Sequence, residues 1–199
     1  QALDDAELEL RRGVDALALP EASGRFSSVG LHWLLGLLRW AKDDHDGAVL
    51  ALERELAGEG SGQLYARECC ANAWYALAAI RLADGDASGA SAAIDDTLRR
   101  IPAHPSARAL RVLLDGGDGA VAAAAVLARQ TVPSDASGAA AVLHVRAGDV
   151  AAAVRTLDTA LATAPPGSAL WTLPVEPVLR VLRDGRWGPV LARLRLRAA

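Results

Sequence analysis

Residues 71–104, ANAWYALAAIRLADGDASGASAAIDDTLRRIPAH, read as two short amphipathic helices either side of Asp84-Gly85-Asp86, closed by Ile101-Pro102. Trp74, Leu77 and Ala78 stand at i, i+3 and i+4 and so share one face of the first helix. Ala78 and Ala90 are small enough to let two helix backbones approach closely, and Gly85 suits a left-handed turn between them. Ile94, Thr97 and Leu98 form one stripe of the second helix, and Pro102 cannot continue it. The same ruler fits twice more. From Val29 its slots hold His32, Leu35, Gly36, Ala48, Leu52 and Glu55, with Asp43-Asp44-His45-Asp46-Gly47 as turn material. From Ser134 they hold Ala140, Ala141, Gly148, Ala153, Leu157, Ala160 and Pro165, and Ala147-Gly148-Asp149 echoes Asp84-Gly85-Asp86. A unit of this kind cannot bury its apolar face alone, and stacked units can.

The spacing resembles the tetratricopeptide repeat, a helix–turn–helix unit of about 34 residues. Numbered from Ala71, the slots characteristic of that family hold Trp74, Leu77, Ala78, Gly85, Ala90, Ile94, Thr97 and Pro102. Arg81 stands where the family usually has Tyr, and Leu82 is the candidate for that packing role. The likeness covers residues 29–165 and extends poorly to the flanks. It implies an all-α fold, an α-solenoid of antiparallel helix pairs in a right-handed superhelix, similar to bacterial tetratricopeptide-repeat proteins.

The expected organisation is an N-terminal helix and linker over 1–28, repeats over 29–62, 63–104, a degenerate 105–133 and 134–166, and a C-terminal cap over 167–199. Leu3–Leu19 has helical period and is ended by Pro20 and the run Glu21–Ser28, so it is expected to pack on the first repeat. Gly58–Gly62 reads as a flexible loop, and residues 63–70 as an extension of the helix through Ala71–Leu82. The degenerate pair is Ser106–Leu114 and Ala120–Gln130, split by Asp115-Gly116-Gly117-Asp118-Gly119. In the tail, Pro174 and Pro177 place a turn before a helix at Val178–Leu182. Trp187, Val190, Leu191 and Leu194 then stripe a last helix. Trp187 and Leu191 inward with Arg186, Arg193, Arg195 and Arg197 outward would cover the apolar end that a stack exposes.

Composition agrees with a helical reading: 44 Ala and 31 Leu among 199 residues are strong helix formers. No apolar stretch reaches the roughly 18 residues of a membrane span. A net charge of −3 argues against a nucleic-acid-wrapping protein, which carries a basic face. The charge is uneven: −6 over residues 1–70, −1 over 71–165 and +4 over 166–199. These are solvated faces in the simplest reading, or faces that complement each other within or between molecules. Of 21 basic residues only Lys42 is Lys. Cys69 and Cys70 are adjacent and have no second pair, so no disulfide framework is expected and a reducing, cytoplasmic setting fits. The chain begins at Gln1 and has no Met, which reads as a processed product or a piece of something longer; residues 1–20 lack a signal-peptide pattern.

Signals of chemistry are absent. Gly116-Gly117-Asp118-Gly119 is too short for a phosphate loop and has no Lys, and neither a G-x-S-x-G elbow nor an H-E-x-x-H helix occurs. His32 and His144 fall inside first helices as half-buried structural residues, while His45 and His104 fall in turns, where solvation accounts for them. Asp43/Asp44/Asp46 lacks the Gly and terminal Glu of a calcium loop, and Asp95/Asp96 is a bare pair. No metal, no cofactor and no catalytic residue is expected.

The aromatics carry the functional expectation: Trp33, Trp40, Tyr65, Trp74 and Tyr75 are five of eight, crowded into one stretch. In the resembled family the first helices line a concave groove. That places Trp33, Leu37 and Trp40 there from the first unit, Asn72, Tyr75 and Leu82 from the second, and Val145 and Arg146 from the fourth. Some arrays of the family hold a peptide carboxylate with Asn and basic side chains, a part open to Asn72 and Arg146, although the usual basic pair of the first unit is missing. The competing reading is that Trp33 and Trp40 pack under the N-terminal helix. The resulting expectation is a non-catalytic scaffold that binds a protein or peptide, with no nucleic acid, no membrane span and a possible homo-oligomer. The alternatives are a regulatory or sensor domain cut from a larger bacterial enzyme or transcription regulator, and a small-molecule enzyme on a helical scaffold.

Overall fold

The structure, a computed structural model, describes residues 2–17, 29–61, 64–115, 133–165 and 170–198. Among these residues it is all-helical, with no strand. The chain divides into two compact units, Gln1–Pro102 and Ala103–Ala199.

The first unit holds α1 (Ala2–Leu17), α2 (Leu31–Ala41), α3 (His45–Ala57), α4 (Ala66–Ala83) and α5 (Ala87–Arg100). Helices α2 and α3 form one hairpin and α4 and α5 a second, while α4 also packs on α3 and α2. The two hairpins repeat at one constant offset: Leu35 and Leu77, Arg39 and Arg81, Asp44 and Asp86, Ala48 and Ala90, Leu52 and Ile94 correspond. All of these except the two Arg and two Asp are buried. The small-residue rule has a direct cause at the first crossing. A β-carbon on Gly36 would stand 2.7 Å from Leu52 Cγ and 3.2 Å from the Ala48 carbonyl oxygen, so the two helices meet backbone to backbone. Ala78, the counterpart of Gly36, is fully buried in α4, as is Ala90 in α5.

Helix α1 packs on α2. Its residue Gly13 faces Leu31, and a β-carbon there would meet the Leu31 side chain at 3.0 Å. At its other end Asp4 and Glu7 receive Lys42 Nζ at 2.6 and 2.7 Å, so α1 runs antiparallel to α2. By the same offset Gly13 corresponds to Glu55 of α3, whose carbonyl takes the Cys70 thiol of α4 at 3.5 Å. The N-terminal helix thus packs on the first helix of the first hairpin, as the sequence suggests.

Three turns share one geometry. Asp43, Gly85 and Gly148 adopt φ of 69°, 83° and 81°, the left-handed conformation that reverses a chain after a helix. The next residue is Asp44, Asp86 or Asp149, and its carboxylate accepts the N–H of Gly47, Gly89 or Ala152 at 3.0, 2.8 and 2.8 Å. Each aspartate thereby caps the second helix of its pair. Asp43 is the one non-glycine among the three and bears the strain of a β-carbon in that region.

The second unit holds α6 (Pro105–Asp115), α7 (Pro133–Arg146), α8 (Val150–Thr163) and α9 (Gly188–Ala198), and each packs on the next. The α7–α8 hairpin buries Ala141, Ala153 and Leu157, the counterparts of Ala78, Ala90 and Ile94. Between α8 and α9 the chain makes three 3₁₀ turns, Leu173–Val175, Val181–Arg183 and Gly185–Trp187. This corrects the expected helix at Val178–Leu182. The reasons are local: Pro177 has no N–H to give, and Arg180 has φ of 51°, which no α-helix admits. Of the residues expected to face inward there, Trp187 is buried and Leu191 half-buried, with Val190 buried as well, while Arg193, expected outward, is half-buried. Arg193 pairs with Asp158 of α8 at 2.6 Å, and Arg197 donates to the carbonyls of Leu161, Ala164 and Pro165 at 2.9, 3.0 and 2.6 Å. A cation on the open carbonyls of a helix end is favourable in charge and in hydrogen bonding.

Other boundaries shift slightly. Glu59–Ser61 is a 3₁₀ turn within the expected flexible loop, and α4 begins at Ala66 rather than residue 63. The expected helix at Ala120–Gln130 and the run Glu21–Ser28 lie outside the described residues.

Candidate interaction surface

Burial sorts the expected groove residues into three groups. Leu37, Trp40 and Tyr75 are buried, at 3%, 7% and 5% exposure, and so present nothing to a partner. Trp33, Asn72, Leu82 and Val145 are half-buried, and Arg146 is exposed. Trp40 meets the His45 ring edge-on at 5.7 Å between centroids. Tyr75 lies in α4, which is buried through nearly every position from Cys70 to Ile80 because α2, α3 and α5 all pack on it. Trp40 is thus inside the first unit, against His45 of α3. The half-buried members of the first unit are Trp33 on α2 and Asn72 and Leu82 on α4; Val145 and Arg146 belong to α7 of the second.

The charged and polar residues around these positions are occupied with holding helices. Glu55 is buried in α3, in a slot that the resembled family fills with a small residue, and its carboxylate reaches back to the start of α2. It accepts the N–H of Gly30 at 2.8 Å and of Trp33 at 3.1 Å. Gly30 has φ of 84° and no side chain to cap α2, so Glu55 satisfies donors that the helix start leaves open. A negative charge there is also favoured by the helix dipole. Arg39 and Arg81, at corresponding places, donate to the carbonyls of Gly47 and Gly89 at 3.2 and 3.1 Å. That contact gives a physical reason for Arg in the slot where Tyr is usual: it ties the first helix of each pair to the first turn of the second. The repeat of Arg at both places was a readable signal that the family comparison hid.

On the opposite end of the hairpins, Arg100 holds the Glu59 carboxylate through two nitrogens at 2.5 and 2.6 Å and stands 5.6 Å over the Trp74 ring. The guanidinium draws the Glu59 carboxyl below its usual range. His32 and Trp74 correspond, and each buries a ring nitrogen without a hydrogen-bond partner, so both rings serve by packing. Burial, partly offset by Glu55, lowers the His32 pKa.

His104 departs from the expectation of a solvated turn residue. It is buried, its Nδ1 accepts the Ala107 N–H at 3.2 Å, and it caps α6. Burial pushes its pKa down to about 4. The two thiols are moved the other way, Cys69 up to about 11 and Cys70 up to about 12, chiefly by burial and then by nearby carboxylates. Both stay protonated at neutral pH, the unreactive form of a cysteine. Among the described residues no three His, Cys, Asp or Glu side chains form a group that could hold a metal ion, and no helix is long and apolar enough to cross a membrane. Set against known proteins, the chain matches no family model, no curated protein and no solved structure.

Proposed function

We infer that the chain is an α-solenoid of the tetratricopeptide kind and that it works as a non-catalytic scaffold for a protein or peptide. The observation that carries this reading is the hairpin with its left-handed turn, aspartate cap and buried small residues, found at three places along one chain. Repeats of this sort contact their neighbours and leave long faces uncovered, and such faces serve as binding surfaces. The deployment of polar groups agrees. Glu55, Arg39, Arg81, Asp44, Asp86, Asp149 and His104 all hold backbone groups. Cys69 and Cys70 are kept as thiols, an environment unsuited to a nucleophile.

Of the first unit's expected groove residues, the half-buried Trp33, Asn72 and Leu82 are the ones left for a partner, since Leu37, Trp40 and Tyr75 are buried. An amphipathic aromatic such as Trp33 and an amide such as Asn72 suit recognition of an extended segment or a helix. The test is photo-crosslinking in native extract from a probe placed at Leu82, with and without Trp33→Ala. A single set of crosslinked polypeptides, lost in Trp33→Ala at unchanged melting temperature, is the expected result. The same set from both proteins, or none from either, overturns the assignment of this surface.

A further inference from the structure

Among the described residues two helix faces are exposed, one in each unit, on helices of opposite charge. The first unit, Gln1–Pro102, has 17 acidic and 10 basic residues, and the second, Ala103–Ala199, has 7 and 11, giving −7 and +4. Helix α1 turns Glu7 and Gly13 toward α2 and leaves Asp5, Leu8, Glu9, Arg12, Asp15 and Ala16 exposed at helical spacing, with Leu8 49% exposed. Helix α9 turns Trp187's neighbour Val190 inward and ties Arg193 and Arg197 to α8. Its other side carries Pro189, Ala192, Arg195 and Leu196, all exposed, and Leu196 at 80% exceeds every other large apolar side chain among the described residues. The sequence of α9, GPVLARLRLRA, has three Arg and no acid, whereas α1 has five acids and two Arg.

We propose that these faces bind each other between copies, the acidic outer face of α1 in one chain against the basic outer face of α9 in the next, with Leu8 and Leu196 at the centre of the contact. The occupant is a second copy because each chain carries both halves of a complementary pair: Leu8 on a helix with five acids and two Arg, and Leu196 beside Arg195 on a helix with three Arg and no acid. Burying the leucines supplies the non-directional attraction, and the charges fix orientation and disfavour like faces meeting. If each pair of copies shares one such contact the assembly is head-to-tail, in rings or open chains, and if both faces engage reciprocally it closes as a two-fold dimer. It depends on salt, since the charges are exposed before association.

The experiment is sedimentation velocity of the full chain over a range of concentration and salt, with two double variants. One carries Arg195→Glu and Leu196→Glu, the other Leu8→Lys and Glu9→Lys; both alter exposed positions, and circular dichroism checks that helix content is kept. The expected result is wild-type association that grows with concentration and weakens in salt. Either variant alone should have a dissociation constant raised about tenfold or more, the effect of like charges brought face to face. Mixing the two variants should restore association, because the unaltered α1 face of the first variant meets the unaltered α9 face of the second. Should either variant lose helix, Leu196→Ser and Leu8→Ser replace the pair, and each should weaken association without reversing charge. A wild type that stays monomeric at high concentration and low salt overturns the proposal, as do variants that associate like wild type or a mixture that stays monomeric.

Discussion

Helices that follow a tight turn and helices that follow a longer connection begin in different ways. Helices α3, α5 and α8 all start on an aspartate whose side chain accepts the N–H three residues on, after a residue of positive φ. Helices α2, α4 and α6 share no common start, although the His104 before α6 also accepts the N–H three residues on. Glu55 from another helix serves α2, the left-handed Tyr65 leads into α4 without a side-chain cap, and an imidazole serves α6. The difference teaches where the repeat is interchangeable and where each copy is individual. A tight turn sees only its own residues, so one local solution recurs. A helix that starts after a longer connection meets whatever its unit packs there, so each start is solved with a different group.

Between the two kinds of start lies the helix crossing, and the largest effect is expected there. Gly36→Leu forces a side chain into Leu52 and the Ala48 carbonyl, and overpacking of this sort costs about 1–3 kcal/mol and more where backbone must move. Denaturant unfolding should show it, and Ala78→Leu should behave alike if the second crossing is as tight. A tolerated Gly36→Leu would mean that α2 and α3 can part without loss.

Removing an individual start comes next. Glu55→Ala leaves the Gly30 and Trp33 N–H groups without their acceptor, one of them buried, at about 1–3 kcal/mol for an unsatisfied buried donor. Glu55→Gln, which keeps an acceptor, should recover part of that. Equal losses for Gln and Ala would place the value of Glu55 in its charge at the helix start rather than in the hydrogen bonds.

The imidazole start adds a pH dependence. The His104 pKa is lowered in the fold to about 4, from 6.5 in the open chain. Its contribution is present above pH 6.5 and is lost as pH falls from there toward 4, because the unfolded chain takes up a proton that the fold refuses. The loss is at most roughly 3 kcal/mol at about 1.4 kcal/mol per unit of pKa. Stability measured by urea unfolding between pH 7 and 4 should decline less in His104→Asn, since Asn caps a helix without titrating.

The tight-turn starts should be equivalent. Asp86→Ala and Asp149→Ala each remove one cap bond and should each cost about 1 kcal/mol, the usual value for an N-cap. Unequal losses would show that tertiary surroundings reach into the turns after all.

The same division explains how much could be read from the sequence. The hairpins were legible because helix period, small residues and Asp-Gly turns are local signals. Ala48, Ala90 and Ala153 are buried where the ruler puts them, and Gly85 and Gly148 carry the positive φ. Glu55 was not legible as a cap, since nothing in neighbouring sequence says that its carboxylate reaches back to Gly30. His104 was hidden for a related reason: His is rarely a capping residue, and a turn position suggests water, whereas it is buried. The site suffered most. The ruler assigns a direction to Trp40 and Tyr75 but cannot count neighbours, and both ended up covered, Trp40 within the unit closed by α1 and Tyr75 in a helix surrounded by three others. The Val178–Leu182 helix failed because a short apolar run between prolines looks the same whether it coils or turns.

The smallest effect belongs to the bond that links two tight turns. His45, the first residue of α3, reaches Asp84 at the end of α4 through Nε2 at 2.9 Å, and Asp46 lies 3.6 Å from its other nitrogen. The hydrogen bond to Asp84, helped by charge from both aspartates, raises the His45 pKa above 6.5. The sign is therefore opposite to that of His104. This contribution is complete below pH 6.5 and disappears as pH rises through the elevated value. The ring is partly exposed, so solvent screens the pair and the effect should be about 0.2–1 kcal/mol, the range of surface ion pairs. Asp84→Asn should flatten the mild fall in stability on the alkaline side and leave the acid-side fall of His104 untouched, read as paired urea titrations of the two variants. If Asp84→Asn instead changed stability equally at all pH values, the link between the turns would rest on packing of His45 against Trp40 and not on its charge.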